Sequence, residues 1–433
     1  MRRLLFVTFL LLVTLPGFAF ERQANADYRA RREHLASQLG NGVLVLFANT
    51  ESEGQNATNG FRQDEDFYYL TGWREPGAAL LIAPKPYAEV LFLPAHNASQ
   101  ERWTGPKLGA DSSDAQQVTG FTRVDVLDHL RDELVRILPS PQATVITDIS
   151  EQGSTPSTTP IAWLRRANAF PNYTSFKDAT PLVAALRLTK DAGEVALIRK
   201  ATDATVEAHK AAMRAARPGL SENELAAVMR YEFERRGCEA PAYSPIVGSG
   251  FNSTVLHYAE NSGTMRDGDL VVLDVAGEYS GYASDVTRTL PVNGRFTARQ
   301  REIYEVVLGA QRAAVDAFRA GASAIGRTAP NSLYKVAYDY INTHGKDAHG
   351  QPLGQYFIHG LSHYVGLEVH DAGDTAAPLA PGAVFTIEPG IYIPEERLGV
   401  RIEDLYMVGA DGKLVELSAG LPKTAEEVER AMK

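Results

Sequence analysis

The sequence holds a single cysteine, Cys238. An internal disulfide is therefore excluded, and the fold has to be held by core burial alone. The flanking segment EFERRGCEAP supplies no base, so Cys238 reads as buried filler rather than a nucleophile. Positive charge is also in deficit, with 43 Lys and Arg against 53 Asp and Glu and a formal net charge of −10. Phosphate backbones are bound by concentrated positive charge, which excludes nucleic acid as a partner. The basic cluster Arg29, Arg31 and Arg32 reads as a solvated helix face. After residue 20 no apolar run approaches the length that crosses a bilayer. The His-Glu-x-x-His pattern of helical zinc peptidases is missing too: His359 and His363 have its spacing, but Gly360 stands in the place of its glutamate.

What is present begins with residues 1–20. Arg2 and Arg3 precede the apolar run Leu4 to Leu15, and Gly17 and Ala19 supply small residues at signal-peptidase spacing. A cleaved export signal is expected, with a periplasmic or extracellular mature protein and no stable membrane insertion. At 433 residues the chain calls for two domains. Residues 21–175 alternate helix and strand: a helix from Asp27 to Leu39, strands at Gly42 to Ala48, Phe67 to Leu70, Ala78 to Ile82 and Glu89 to Leu93, then a helix from Val124 to Leu138. That alternation predicts an α/β domain, with Gln152 to Pro160 as a loop near its end. The texture changes between Phe176 and Lys190, which opens a second domain over 176–433.

In that second domain the order helix, helix, strands, hairpin occurs twice. The first copy has a helix from Thr189 to Ala216 and one opened by the capping box Ser221 and Glu224. Strands follow at Tyr243 to Gly248 and Val255 to Tyr258, then a hairpin. The second copy has a helix from Thr297 to Phe318, another from Pro330 to Thr343, and strand-like runs at Leu367 to Val369, Val384 to Ile393 and Val400 to Val408.

Asp274 and Asp285 lie in segments that otherwise read as buried strands. For either alone, a strand-end cap or an ion pair with an arginine such as Arg288 is an adequate account. The second copy changes the balance. Asp274 stands six residues after Gly268 in GDLVVLDV, and Glu388 six after Gly382 in GAVFTIEP. His257 precedes Asp274 by 17 residues, and His370 precedes Glu388 by 18. Asp285 opens DVTRTL, and Glu403 sits in its counterpart VRIEDL. Each half thus offers one histidine and two carboxylates at matching places.

If the halves pack about a pseudo-twofold axis, four carboxylates converge, and they cannot all stay ionised in a low-dielectric site without cations. A pair of divalent ions about 3.5–4 Å apart solves this. One imidazole commonly completes such a set, and the segment from His359 through His363 to His370 offers three. Oxygen-rich ligation favours Mn²⁺, with Co²⁺, Zn²⁺ and Fe²⁺ as alternatives. A water shared by two metals becomes a hydroxide nucleophile near neutrality, which makes metal-assisted peptide hydrolysis the expected reaction.

The segments LHYAEN, DVAGEYSGYASDVTRT, HGLSHYVGLEVHD, TIEPGIYI and GVRIED resemble the aminopeptidase P and prolidase branch of the pita-bread metallopeptidases, over Phe176 to Val408. DFYYLTGWREPGAALLIAP and ERWTGPKLGADSS resemble the domain that precedes the catalytic one in aminopeptidase P. The resemblance implies an α/β N-terminal domain followed by an α+β pita-bread (creatinase/aminopeptidase) domain with internal pseudo-twofold duplication. It implies Asp274, Asp285, His363, Glu388 and Glu403 as metal ligands, with Asp285 and Glu403 bridging both ions. Glu388 would also shuttle the proton, and His257 and His370 would donate to substrate and intermediate. His359 would line the pocket, Arg401 would brace the carboxylates, and Tyr392 would lie beside them. The implied activity is release of an N-terminal residue from peptides with proline second, by a homodimer or homotetramer in which Trp103 takes part. The loop Asp371 to Pro381 contains no arginine. An Xaa-Pro dipeptidase needs a cation for its substrate's free carboxylate, so that alternative ranks second, and a catalytically silent binding module third.

Overall fold

The computed structural model describes residues 20–52, 54–56, 60–138, 144–149 and 174–433. The export signal read over residues 1–20 falls, apart from Phe20, outside these residues, as does the loop Gln152 to Pro160.

The first unit is a six-stranded mixed sheet. Its order is Val124–Val126, Tyr87–Leu93, Ala79–Pro84, Val43–Phe47, Thr144–Thr147 and Ser175–Asp178. The last strand spans the point where the sequence changes texture. Side chains alternate between the sheet's faces as a period of two requires. Val45, Leu81 and Phe92 pack on one face, under the helix Leu130–Ile137. Leu44, Leu80 and Leu91 pack on the other, in a core that also takes in Val365, Leu367 and Leu405 of the second unit. The two units therefore share a core.

Three segments of this unit differ from the expected elements. Phe67 to Leu70 is not a strand but part of the helix Glu65–Thr71. Asp64 caps it by accepting from the Phe67 amide at 2.7 Å, and Gly72 ends it at φ 61°; the four apolar residues between these signals have no readable period. Val124 to Leu138 divides into a strand, a 3₁₀ turn and a shorter helix. The basic cluster is a further correction. Arg29 pairs with Glu33 at the surface, but Arg31 and Arg32 are buried. Arg32 donates to Glu89 at 2.6 Å with both side chains fully buried, and lies over the Phe121 ring. Removing one partner of such a pair strands the other charge, so Arg32→Met is expected to cost about 3–5 kcal/mol in urea unfolding. Arg32→Met with Glu89→Leu should recover most of that loss.

In the second unit, helices α1 (Ala192–Ala215) and α2 (Glu222–Glu234) carry the capping boxes Asp191/Glu194 and Ser221/Glu224. They lead into strands β1 (Ile246–Ser249), β2 (Leu270–Asp274) and β3 (Thr287–Pro291). Helices α3 (Ala298–Ala317) and α4 (Leu333–His344) repeat the arrangement, capped by Thr297 and Ser332. Strands β4 (Val384–Ile387), β5 (Gly390–Ile393), β6 (Leu398–Arg401) and β7 (Asp404–Val408) follow. Val255 to Tyr258 and Leu367 to Val369 are turns and bends rather than strands. The run Val384 to Ile393 breaks at Glu388-Pro389, and Val400 to Val408 breaks at Ile402-Glu403. Antiparallel pairing stops at Asp274↔Thr287 in the first half and at Ile387↔Asp404 in the second. A backbone bridge between Thr287 and Glu403 joins the halves.

Candidate metal centre

Those interruptions coincide with the acidic residues. Asp274 is the last residue of β2, Asp285 lies two before β3, Glu388 follows β4, and Glu403 precedes β7. A carboxylate within a continuous ladder alternates with its neighbours between sheet faces; at a ladder end the chain can turn it into a shared space. Here the shared space is a cavity of about 490 Å³ between the halves; the five expected ligands, the three other histidines and Arg401 line it, and Tyr392 lies behind that lining against Arg401 and His359.

Tyr243 ties the first half's acids together, its hydroxyl lying 2.6 Å from both Asp274 Oδ1 and Asp285 Oδ1. Arg401 Nη2 reaches Asp274 Oδ2 at 2.5 Å, and Nη1 donates to the Tyr392 hydroxyl at 2.7 Å. Arg288, the ion-pair partner considered from sequence, points to the opposite face of β3 and pairs with buried Asp404 at 2.7 Å. His363 Nδ1–H donates to the Tyr364 carbonyl at 3.1 Å, which leaves Nε2 directed at Asp285 Oδ2 and Glu388 Oε1, each at 3.3 Å. Thr287 Oγ1 donates to Glu403 Oε2 at 2.7 Å. Thr386 Oγ1 donates to Glu388 Oε1 at 3.2 Å. The His370 ring stands 4.1 Å from the His363 ring in an edge contact. His359 Nδ1–H donates to the Gly360 carbonyl, so its Nε2 accepts from Tyr392 at 2.9 Å. His257 lines the cavity wall.

Tyr243, Thr287 and Thr386 were not legible as site residues. A signal existed for the threonines: Thr287 follows Asp285 by two, and Thr386 precedes Glu388 by two. On an extended chain that spacing places both groups on one face.

The electrostatics show what the donor set demands. Burial raises the Glu403 carboxyl well above its usual range, and Asp285 and Glu388 add to the rise. Burial likewise lifts Glu388, opposed by His363, to about 7. Asp274 is raised by burial, against the pull of Arg401. For His363 burial opposes the charge, but Asp285 and Glu388 outweigh it and raise the imidazole to about 9. Burial lowers His359 to about 3, and Arg401 adds to this. His370 is lowered by burial and by His363. Protons therefore occupy the cluster where cations are not supplied. Ligand atoms of Asp285, His363 and Glu403 all lie within 4.8 Å of one another, a spacing that fits a metal ion. Metal loading must displace the protons, so affinity should rise with pH across this range. Calorimetry in buffers of different ionisation enthalpy should show roughly one to two protons released per protein at pH 7.

Residues 196–410 match the metallopeptidase family M24, and residues 28–146 match the aminopeptidase P N-terminal domain. With its duplicated fold and buried acidic centre, the chain belongs to metallopeptidase family M24 and has the pita-bread catalytic architecture. It is 34% identical to the Xaa-Pro aminopeptidase of Escherichia coli K12, over 94% of this chain and 97% of that protein. It is 31% identical to human Xaa-Pro dipeptidase over 97% and 94%. Among solved structures, the low-pH form of E. coli aminopeptidase P superposes with a TM-score of 0.83 at 31% identity, covering 95% of this chain and 99% of that one. A zinc-substituted form of that enzyme in complex with product superposes at 0.82, also at 31% identity and with the same coverage.

Proposed function

We propose that the chain is an Xaa-Pro aminopeptidase holding two divalent ions, manganese for preference, on Asp274, Asp285, His363, Glu388 and Glu403. Bound there, the ions supply Lewis acidity and bring the pKa of water towards neutrality. Glu388 takes the proton of the attacking water and passes it to the leaving nitrogen as the C–N bond breaks. His257 and His370 face the cavity as donors to the substrate carbonyl oxygen. Arg401 and Tyr392 fix the direction of Asp274 and His359.

The observation that carries the aminopeptidase reading is the commitment of the local cations. Arg401 is engaged by Asp274 and Tyr392. Asp371, next to His370, turns inward onto Arg187 at 2.5 Å and Lys190 at 2.6 Å. Among the described residues lining the cavity, none is an uncommitted Arg or Lys to receive the free carboxylate of a dipeptide. Manganese-loaded protein is expected to cleave Xaa-Pro-Xaa tripeptides at least about tenfold faster, by kcat/KM, than Xaa-Pro dipeptides. Cleavage of dipeptides alone would establish a dipeptidase instead. Export to the periplasm or beyond rests on Arg2, Arg3 and the run Leu4 to Leu15. A homodimer or homotetramer rests on the resemblance and on Trp103, which is 89% exposed on the helix Ala98–Thr104. A fully active monomer in light scattering would exclude that assembly.

A further inference from the structure

The ladder interruptions that free the four carboxylates also leave backbone carbonyls without strand partners. In the first half, His209 of α1 answers this. It is fully buried, and its Nε2–H donates to the Val275 carbonyl at 3.0 Å and the Val286 carbonyl at 3.1 Å. Val275 adjoins Asp274 and Val286 adjoins Asp285. The other ring nitrogen, Nδ1, is buried without a hydrogen-bond partner. A buried unpaired nitrogen is unfavourable, so an apolar residue here would gain on that count alone and the donor function has to outweigh it.

The second half repeats the device with different chemistry. Gln311 of α3 is buried, and its Nε2 donates to the Ile387 carbonyl at 3.0 Å and the Ile402 carbonyl at 3.3 Å. It also donates to Asp404 Oδ2 at 3.0 Å. Ile387 adjoins Glu388 and Ile402 adjoins Glu403. In each half the first helix sends one nitrogen donor to two carbonyls, one beside each carboxylate. We propose that His209 and Gln311 are a duplicated pair of positioning residues, each clamping the two diverging strand ends of its half so that their carboxylates meet the metal ions at the right separation.

The inference rests on the ligand assignment proposed above, and wild-type metal titration tests that assignment separately. The experiment compares full-length wild type, His209→Met, His209→Gln and Gln311→Met by Mn²⁺ titration calorimetry, melting temperature without metal, and steady-state kinetics. Both methionine variants are expected to bind Mn²⁺ at least about tenfold more weakly and to lose kcat with little change in KM. His209→Gln, which places the second half's donor in the first, should restore Mn²⁺ affinity to within about threefold of wild type. Methionine variants that melt lower but keep wild-type Mn²⁺ affinity would reduce both residues to structural filler and overturn the proposal. So would a folded His209→Gln protein that binds Mn²⁺ about tenfold more weakly than wild type, a reading available even if His209→Met fails to fold. Wild-type protein that binds no Mn²⁺ would overturn the ligand assignment itself, and the clamp with it.

Discussion

Asp285→Asn is expected to abolish metal binding and peptidase activity together, with kcat falling at least about 10³-fold. Asp285 stands between the halves: Oδ1 meets Tyr243 and Oδ2 faces His363 Nε2. One of its oxygens and one ligand atom each of His363 and Glu403 lie within 4.8 Å of one another. An amide in its place keeps the shape but removes a negative charge and leaves one acceptor where there were two. Elemental analysis of the purified variant checks the first expectation, and turnover of an Xaa-Pro tripeptide the second. A variant that keeps full metal content would remove Asp285 from the ligand set.

Glu388→Gln is expected to behave differently. A glutamine oxygen can still face the same ions, but the side chain no longer accepts a proton. General acid–base groups contribute about 10²–10⁴-fold, so kcat and kcat/KM should fall together by that amount while metal content changes little. Loss of metal in parallel with activity would make Glu388 a ligand without a proton-transfer role.

The site was largely legible because its residues violate their surroundings. An acid in a run such as LVVLD is conspicuous, and the second copy converted four separate anomalies into one arrangement. What stayed hidden were groups that suit their strands. Thr287 and Thr386 are ordinary β-formers, and Tyr243 precedes β1 as any aromatic could. The breaks after Ile387 and before Asp404 were hidden because apolar residues resume at once on either side, while the pairing partner changes from β7 to β6. The buried Arg32 was misread because charge alone suggests solvent, whereas its partner Glu89 lies 57 residues away on a strand. The helix at Glu65–Thr71 shows the converse, its end signals being plain in sequence while its interior is too short to carry a period.

On the ligand set proposed above, Asp274 and Asp285 come from one half and His363, Glu388 and Glu403 from the other, so a chain with one half folded would have no centre to load. The seam closed by Thr287 and Glu403 thus makes metal a ligand of the complete fold alone. At free metal about a hundredfold above its dissociation constant, that linkage adds about 2.7 kcal/mol against opening. Urea unfolding of metal-free and Mn²⁺-loaded protein is expected to differ by about that amount, the loaded form being the more stable.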